Sequence, residues 1–428
     1  MGIRPGFTFE IQNAPKRAVG KRGTVTFFYT WAMLPYGMHE ITEDTDLYSI
    51  MEGYDYNMQQ NIKAMLKNCK SVLVYQPQSA TQSTGNLTLG EESVTLRTVA
   101  SGQATASIVL KIVADGDAFN AIVKVAGNPL AQYRGLRTLR DLQAASKEYI
   151  LVSDLADTSK PLEETTVQFA GGSSASNSLD TYKEYLAKLK EYAFDMVVVP
   201  KQSSNEWVNE TYKTLRDIRE LDEVECHMLT FEHTTSEFWN ICVKQVGANY
   251  KSRELESMNI LASRYVALEP NVSAMRMEIP EYQGVYPILS NRDLEDCIRR
   301  GVIGMFKDAK GVVRLDDEVT CYLGDNHEIP ECLSRGQSVR IVEDIIKKSR
   351  ELFNTHYLGK VACTEARATQ FKADILSMLL DAQKAEIVKE VVAEDVEVRI
   401  TDRNQFEVVV SLFTVEAVRK AEFTFKVR

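Results

Sequence analysis

A helix–strand alternation that breaks off and resumes about a hundred residues later constrains this chain more than any other feature. "TVTFFYTWAML" (Thr24 to Leu34) reads as a buried strand running into a loop. Apolar residues from Leu47 to Leu66 recur at helical spacing, with Gly53 as a divider, and "SVLVYQP" (Ser71 to Pro77) is a second strand. The rhythm stops near Gln78. Residues 85–178 are rich in Thr, Val, Ile and Gly. Turn signals at "ADGD" and "AGNP" separate short strands such as "ATASIVLKIV" and "NAIVKVAG", and the segment closes on the Gly/Ser run "FAGGSSASNS". Alternation then returns, with a helix from Asp180 to Tyr192, the strand "FDMVVVP", and a helix from Ser204 to Leu221. The strands "CHMLTF" and "WNICVKQ" follow, then a helix from Ser252 to Val266, a short helix with an Asn cap in "SNRDLEDCIRRG", and "VIGMF". The economical arrangement is one α/β domain built from residues 24–84 and 179–325, interrupted by a β-rich domain at 85–178.

Residues 326–413 form a separate α+β unit. Val339, Val342, Ile345, Ile346, Ser349, Leu352 and Phe353 share one helical face. Phe371, Ile375, Met378, Leu379 and Ala382 make a second stripe, with Lys372, Asp374, Asp381, Lys384 and Glu386 outside it. "EDVEVRI" and "QFEVVVSLF" are strands. Each end of the chain carries one more alternating segment: Phe7, Phe9 and Ile11 in an arm at 1–23, and Phe423, Phe425 and Val427 in an arm at 414–428. A polar stretch from Gln12 to Gly23 and the connector "TVEAVRKA" tether them. Two readings stand: the terminal strands pair within their own domain, or each is offered to another copy of the chain.

The formal net charge of −10 gives no electrostatic reason to expect nucleic acid. Apolar runs are only a few residues long, so no membrane insertion is expected, and the N-terminus has neither an apolar secretory segment nor the myristoylation pattern. Seven cysteines without a CxxC read as reduced thiols in a cytosolic setting. No GxSxG, GxxxxGK[ST] or GxGxxG occurs, and neither Cys226, His227 and His233 nor Cys321, His327 and Cys332 has a recognised metal spacing. These residues read as core or surface. Asp316-Asp317-Glu318 reads as a solvated turn, and "RGLRTLR" (Arg134 to Arg140) as a salt-bridged face. No catalytic residue, metal or cofactor is assigned. A cytosolic α/β hydrolase with a β-rich insertion is the alternative function, and it lacks a nucleophile–base motif.

"SVRIVEDIIKKSRELFNTHYLGKV" (Ser338 to Val361) resembles the C-terminal domain of contractile phage tail sheath proteins. There a V-I-R-V-L-D-x-I helix leads to a Y-I-G-K turn; here the helix reads Val339-Arg340-Ile341-Val342-Glu343-Asp344-Ile345 and the turn is Tyr357-Leu358-Gly359-Lys360. "RPGFTFEI", "SNRDLEDCIRRGVIGMF", "EDVEVRI" and "VEAVRKAEFTFKV" follow the family's order. Ala362-Cys363-Thr364 stands where an Asn is usual, and the D-A-M-E-K-L-Y connector is only loosely echoed by residues 416–422.

The resemblance implies an α/β multidomain fold. Its α/β domain would be subtilisin-like and non-catalytic, carrying the β-rich insertion, followed by an α+β C-terminal domain with strand-exchanging arms. It implies a structural subunit that self-assembles into six-fold rings stacked helically around a tail tube and contracts by rigid-body rearrangement. The implied partners are other copies of the chain, the tube protein, and baseplate and tail terminator proteins. The C-terminal domain would face the tube, and the polar side of the helix bearing Arg367, Lys372, Asp374, Asp381 and Lys384 is either the tube contact or a solvated face. The subunit would be made in a host bacterial cytoplasm and end in a virion or a phage-tail-like particle such as an R-type bacteriocin.

Overall fold

The computed structural model describes residues 21–29, 34–47, 56–152, 158–200, 204–221, 224–231, 254–282, 284–323 and 330–417. The terminal strands at Phe7, Phe9 and Ile11 and at Phe423, Phe425 and Val427, the Gly53 divider and the strand "WNICVKQ" lie outside the described residues.

The chain opens with β1 (Arg22–Phe27), β2 (Gly37–Ile41), α1 (Tyr56–Leu66) and β3 (Cys69–Gln76). The insertion follows with β4 (Gln82–Leu89), β5 (Glu92–Ser101), β6 (Ile108–Asp115), β7 (Ala118–Val125), β8 (Asn128–Leu136), α2 (Leu139–Ser146), β9 (Ile150–Val152) and β10 (Thr165–Gln168). After it come α3 (Leu179–Leu189), β11 (Met196–Val198), α4 (Asn205–Leu221), β12 (His227–Leu229), α5 (Glu254–Val266), α6 (Asn291–Arg299), β13 (Met305–Lys307) and β14 (Val313–Leu315).

Strands from both sides of the insertion enter one sheet of order β12-β11-β1-β3-β2, parallel except for the edge strand β2. Continuous apolar runs such as Val72–Tyr75 suit a parallel sheet covered on both faces. Val25, Phe27, Val72 and Val74 meet Ile62 and Met65 of α1 and Leu261 and Tyr265 of α5. On the other face Leu73, Tyr75 and Val197 meet Tyr182, Tyr185 and Leu186 of α3 and Leu215 and Ile218 of α4. Thr26, fully buried on that second face, bonds its hydroxyl to that of Tyr185 at 2.7 Å. The strand expected to run into a loop between Thr24 and Leu34 ends at Phe27, and Leu34 makes an isolated bridge to Ser101 of the insertion. Ser290, not an Asn, caps α6, its hydroxyl taking the Asp293 N–H at 3.3 Å while the Asp293 carboxylate takes the Ser290 N–H at 2.8 Å.

Two sheets in the insertion, β4-β5-β9 and β10-β6-β7-β8, share a core containing Leu87, Leu96, Leu110, Ile112, Val123, Ile150 and Val167. Both expected turns are two-residue hairpins, at Gly116-Asp117 and at Ala126-Gly127. In the second both central residues have positive φ, which matches the twist of the flanking strands. The stretch "RGLRTLR" ends β8 and starts α2, a helix whose N-terminus is fixed by a capping box between Thr138 and Asp141.

The C-terminal region comprises α7 (Gly336–His356), α8 (Glu365–Lys384), β15 (Val388–Lys389), β16 (Val396–Asp402), β17 (Gln405–Val410) and β18 (Phe413–Thr414). Its core holds Ile341, Ile345, Tyr357, Phe371, Ile375, Leu379 and Ala382. The α8 stripe is the expected one. On α7 the buried set is rotated: Ile341 is fully buried and Ile346 is 42% exposed. The reason is that α7 is gripped from two sides, by α8 and by the α/β domain.

Candidate functional site

The C-terminal domain builds its surface from a helix pair and a ribbon. Tyr357 ends α7, Gly359 turns the chain at φ +67°, and the Lys360 ammonium meets the Thr355 carbonyl near the negative end of the helix. The Tyr357 ring lies 4.5 Å from that of Phe371, and its hydroxyl donates to Asp374. Burial, then that bond to a carboxylate, pushes the Tyr357 pKa up. Leu358 is left half exposed. The Tyr-x-Gly-Lys motif thus orients α8 against α7. Between these helices runs an open groove of about 750 Å³, lined in part by Lys348, Leu352, Arg367, Asp374, Met378 and Ile387.

On the other side of α8, β16 and β17 form an antiparallel ribbon, with Val398 opposite Val408 and Ile400 opposite Phe406. Val396, Val398, Phe406 and Val410 face the core, where Phe406 stacks on Phe371 at 6.1 Å. Among the described residues no third strand joins either edge of this ribbon.

The opposite flank of α7 is welded to the α/β domain by ions. The Glu343 carboxylate lies 2.7 Å from Arg219 of α4 and 2.6 Å from His227 Nε2 of β12, and all three side chains are at most 13% exposed. Burial alone would raise the Glu343 pKa; the His227 ring and the Arg219 guanidinium outweigh it and hold the carboxyl below its ordinary value. One turn away on α7, Arg340 pairs with Glu318, which also accepts from the Ala274 N–H at 2.6 Å. Arg335 meets Asp317 at 3.3 Å, and Arg350 meets Glu225 at 2.9 Å. Asp316-Asp317-Glu318, expected as a solvated turn, is buried because Arg276, Arg335 and Arg340 neutralise it. Gly336 fits at the start of α7 because a Cβ there would stand 2.5 Å from the Glu318 carboxylate.

Little of this is suited to bond-making chemistry. Burial pushes the thiols of Cys69 and Cys226 up to about 12, which suppresses the thiolate. His227, one of the histidines weighed for a metal, is engaged by Glu343. Among the described residues no group of three or more His, Cys, Asp or Glu side chains is placed to hold a metal ion, and no helix is long and apolar enough to cross a membrane.

No protein-family model matches the sequence, and no curated protein matches it. Solved structures do. A sheath tail protein from Desulfitobacterium hafniense superposes with a TM-score of 0.77 at 16% identity, covering 97% of this chain and 98% of that one. One from Listeria innocua gives 0.77 at 16% identity over 94% and 93%. This is the fold of contractile tail sheath proteins. The helical sheath of the anti-feeding prophage in its contracted state shares it more distantly, at a TM-score of 0.56 and 8% identity over 100% of this chain and 99% of its own.

Within this sheath fold the five residues expected to face a tube occupy different settings on α8. Arg367 is exposed and bonds Gln370 at 2.6 Å, and the exposed Asp381 and Lys384 pair at 2.7 Å. Lys372 is half buried, and Asp374 is taken up inside the domain by Tyr357. Sequence reasoning missed the ionic seam entirely. Glu343 and its partners are 116 and 124 residues apart, and nothing in local spacing links them.

Proposed function

We propose that this chain is the structural subunit of a contractile tail sheath, and that it carries no catalysis of its own. The observation that carries the reading is the sheath fold extending over 97% of the chain. Copies self-assemble into six-fold rings stacked helically around a tail tube, capped by baseplate and terminator proteins. The particle is assembled from subunits made in a bacterial cytoplasm and belongs to a phage or a phage-tail-like bacteriocin.

The links are donated strands. The segments bearing Phe7, Phe9 and Ile11 and bearing Phe423, Phe425 and Val427 pair with the outward edges of the β16–β17 ribbon on neighbouring copies. Each donated strand contributes on the order of five backbone hydrogen bonds at about 0.5–1.5 kcal/mol net. Burying each Phe ring adds about 1.5–3 kcal/mol. A contact exchanged in one direction is heterologous and propagates rather than closing. Contraction then repacks rigid bodies while the links hold. The exposed residues of α8, Arg367, Asp381 and Lys384, face the tube, while the subtilisin-like α/β domain and its insertion lie outward.

Electron microscopy of the purified protein, alone and with its tube protein, tests the reading. Striated hollow tubes or stacked six-fold rings are expected. Removing Glu422 to Arg428 should abolish them and leave a folded subunit. Tubes formed by the truncated chain would overturn strand donation, and dispersed particles in the presence of the tube would overturn the sheath role.

A further inference from the structure

We propose that Gln337 is the positioning residue that anchors the root of the C-terminal arm, at Ala417, to the body of the subunit. The inference rests on the sheath reading above and adds to it a fixed launch point for the donated strand.

The chain leaving the C-terminal domain is tied down step by step. Phe413 and Thr414 pair with Lys389 and Val388. The Val415 N–H donates to the Ile387 carbonyl at 3.1 Å. The Ser338 hydroxyl donates to the Glu416 carboxylate at 3.3 Å, and the Ala417 N–H donates to Gln337 Oε1 at 3.2 Å. The other end of the Gln337 amide donates from Nε2 to the Asn271 carbonyl of the α/β domain at 3.0 Å. One buried side chain, 5% exposed, therefore bonds arm root and body at once.

The chemistry of the residue suits this. A primary amide carries an acceptor and a donor on one planar group, so it bridges an N–H on one side and a C=O on the other. Leucine offers neither, and a carboxylate offers only the acceptor. Those two partners also fix which end of the amide is oxygen. Gln337 itself is held in place, since Arg335 and Arg340 on either side bond Asp317 and Glu318. A pull on the arm thus reaches the α/β body through a clamped helix terminus rather than through the ribbon alone. This bridge fixes the direction in which the chain leaves the body at Ala417.

The test uses the full chain with Gln337→Leu. Backbone hydrogen exchange in the free subunit should accelerate at least about tenfold at residues 415–417, with β16–β17 unchanged. Tubes should be lost, or form with an altered helical twist. Ala417→Pro, which deletes the arm's donor without touching α7, should give the same change in the tubes and keeps the test open where Gln337→Leu fails to fold. Unchanged exchange at 415–417 in Gln337→Leu, or wild-type twist in Ala417→Pro tubes, overturns the anchor. Should the wild-type chain form no tubes even with its tube protein, the sheath reading fails, and the exchange rates still decide whether Gln337 holds the arm root.

Discussion

The insertion meets the α/β body through backbone and neutral side chains: Leu34 bridges Ser101, Thr81 bridges Ser173, and the Gln76 amide donates to the Ser101 carbonyl at 3.1 Å. The C-terminal domain meets the same body through ions, at Glu343, Arg340, Arg335 and Arg350. The insertion also fills its core from its own two sheets, whereas among the described residues the ribbon of the C-terminal domain has only its two strands. One appendage is self-sufficient and lightly attached. The other is held to the body by buried and half-buried ion pairs.

The sharpest way to break this contrast is Glu343→Ala. It removes the carboxylate that faces His227 and Arg219 in a buried site, where Arg219 keeps its bond to the Cys226 carbonyl at 2.9 Å, and removing one partner of a buried pair costs about 3–5 kcal/mol. A urea titration should show that loss, with exchange rising along α7 first. A loss under about 1 kcal/mol would mean that the seam is ornamental and that apolar packing holds the domain.

Acid should act through the same group. The folded pKa of Glu343 lies below its ordinary 4.5, so its contribution is fully present above that value and is lost as pH falls through the lowered one. Asp141 in the insertion and Asp293 on α6 are also held low, by N-cap hydrogen bonds, so acid sensitivity is not confined to the seam. Glu343→Gln isolates its share: the variant should lose less stability than the wild type between about pH 5 and pH 3. Parallel acid limbs would assign the sensitivity to the caps.

Gly336→Ala sets a smaller wedge in the seam. Its methyl would press on the Glu318 carboxylate, and overpacking of that kind costs about 1–3 kcal/mol. Replacing Gly116 by Ala in the insertion strains a positive φ but meets open space, so its effect should stay within the insertion.

These two appendages were unequally legible in the sequence. The insertion announced itself because period-2 alternation and turn residues are local signals: Gly116 and Ala126-Gly127 sit at the hairpins where the chain says they should. The helix pair of the C-terminal domain was equally readable, down to Phe371, Ile375 and Leu379. What escaped was every feature made by distant partners. Asp316-Asp317-Glu318 looks like a surface turn until arginines from α7 arrive. Ile346 belongs to the apolar stripe by spacing, yet a second packing partner turns α7 so that Ile341 is buried instead. The edge strand β2 was missed for a related reason, since "GMHEI" gains its pairing only from β3.

The smallest effect per residue removed should come from the largest deletion. Thr84 and Ala170 exchange backbone hydrogen bonds at 2.9 Å in both directions, so the chain enters and leaves the insertion at adjacent points. Residues 86–168 can be replaced by a short Gly/Ser turn without stretching anything. The body then loses the Leu34–Ser101 bridge, the Gln76–Ser101 bond and the bond from the Gly102 N–H to the Thr81 carbonyl, all of which water can satisfy once the insertion is gone. At roughly 0.5–1.5 kcal/mol net for each hydrogen bond, the remaining subunit should lose at most about 1.5–4.5 kcal/mol. Calorimetry should find one cooperative transition near that of the intact chain, and tubes should still form. A large drop in Tm would show that the insertion completes the α/β core. Loss of tubes with Tm preserved would place an inter-subunit contact on the insertion.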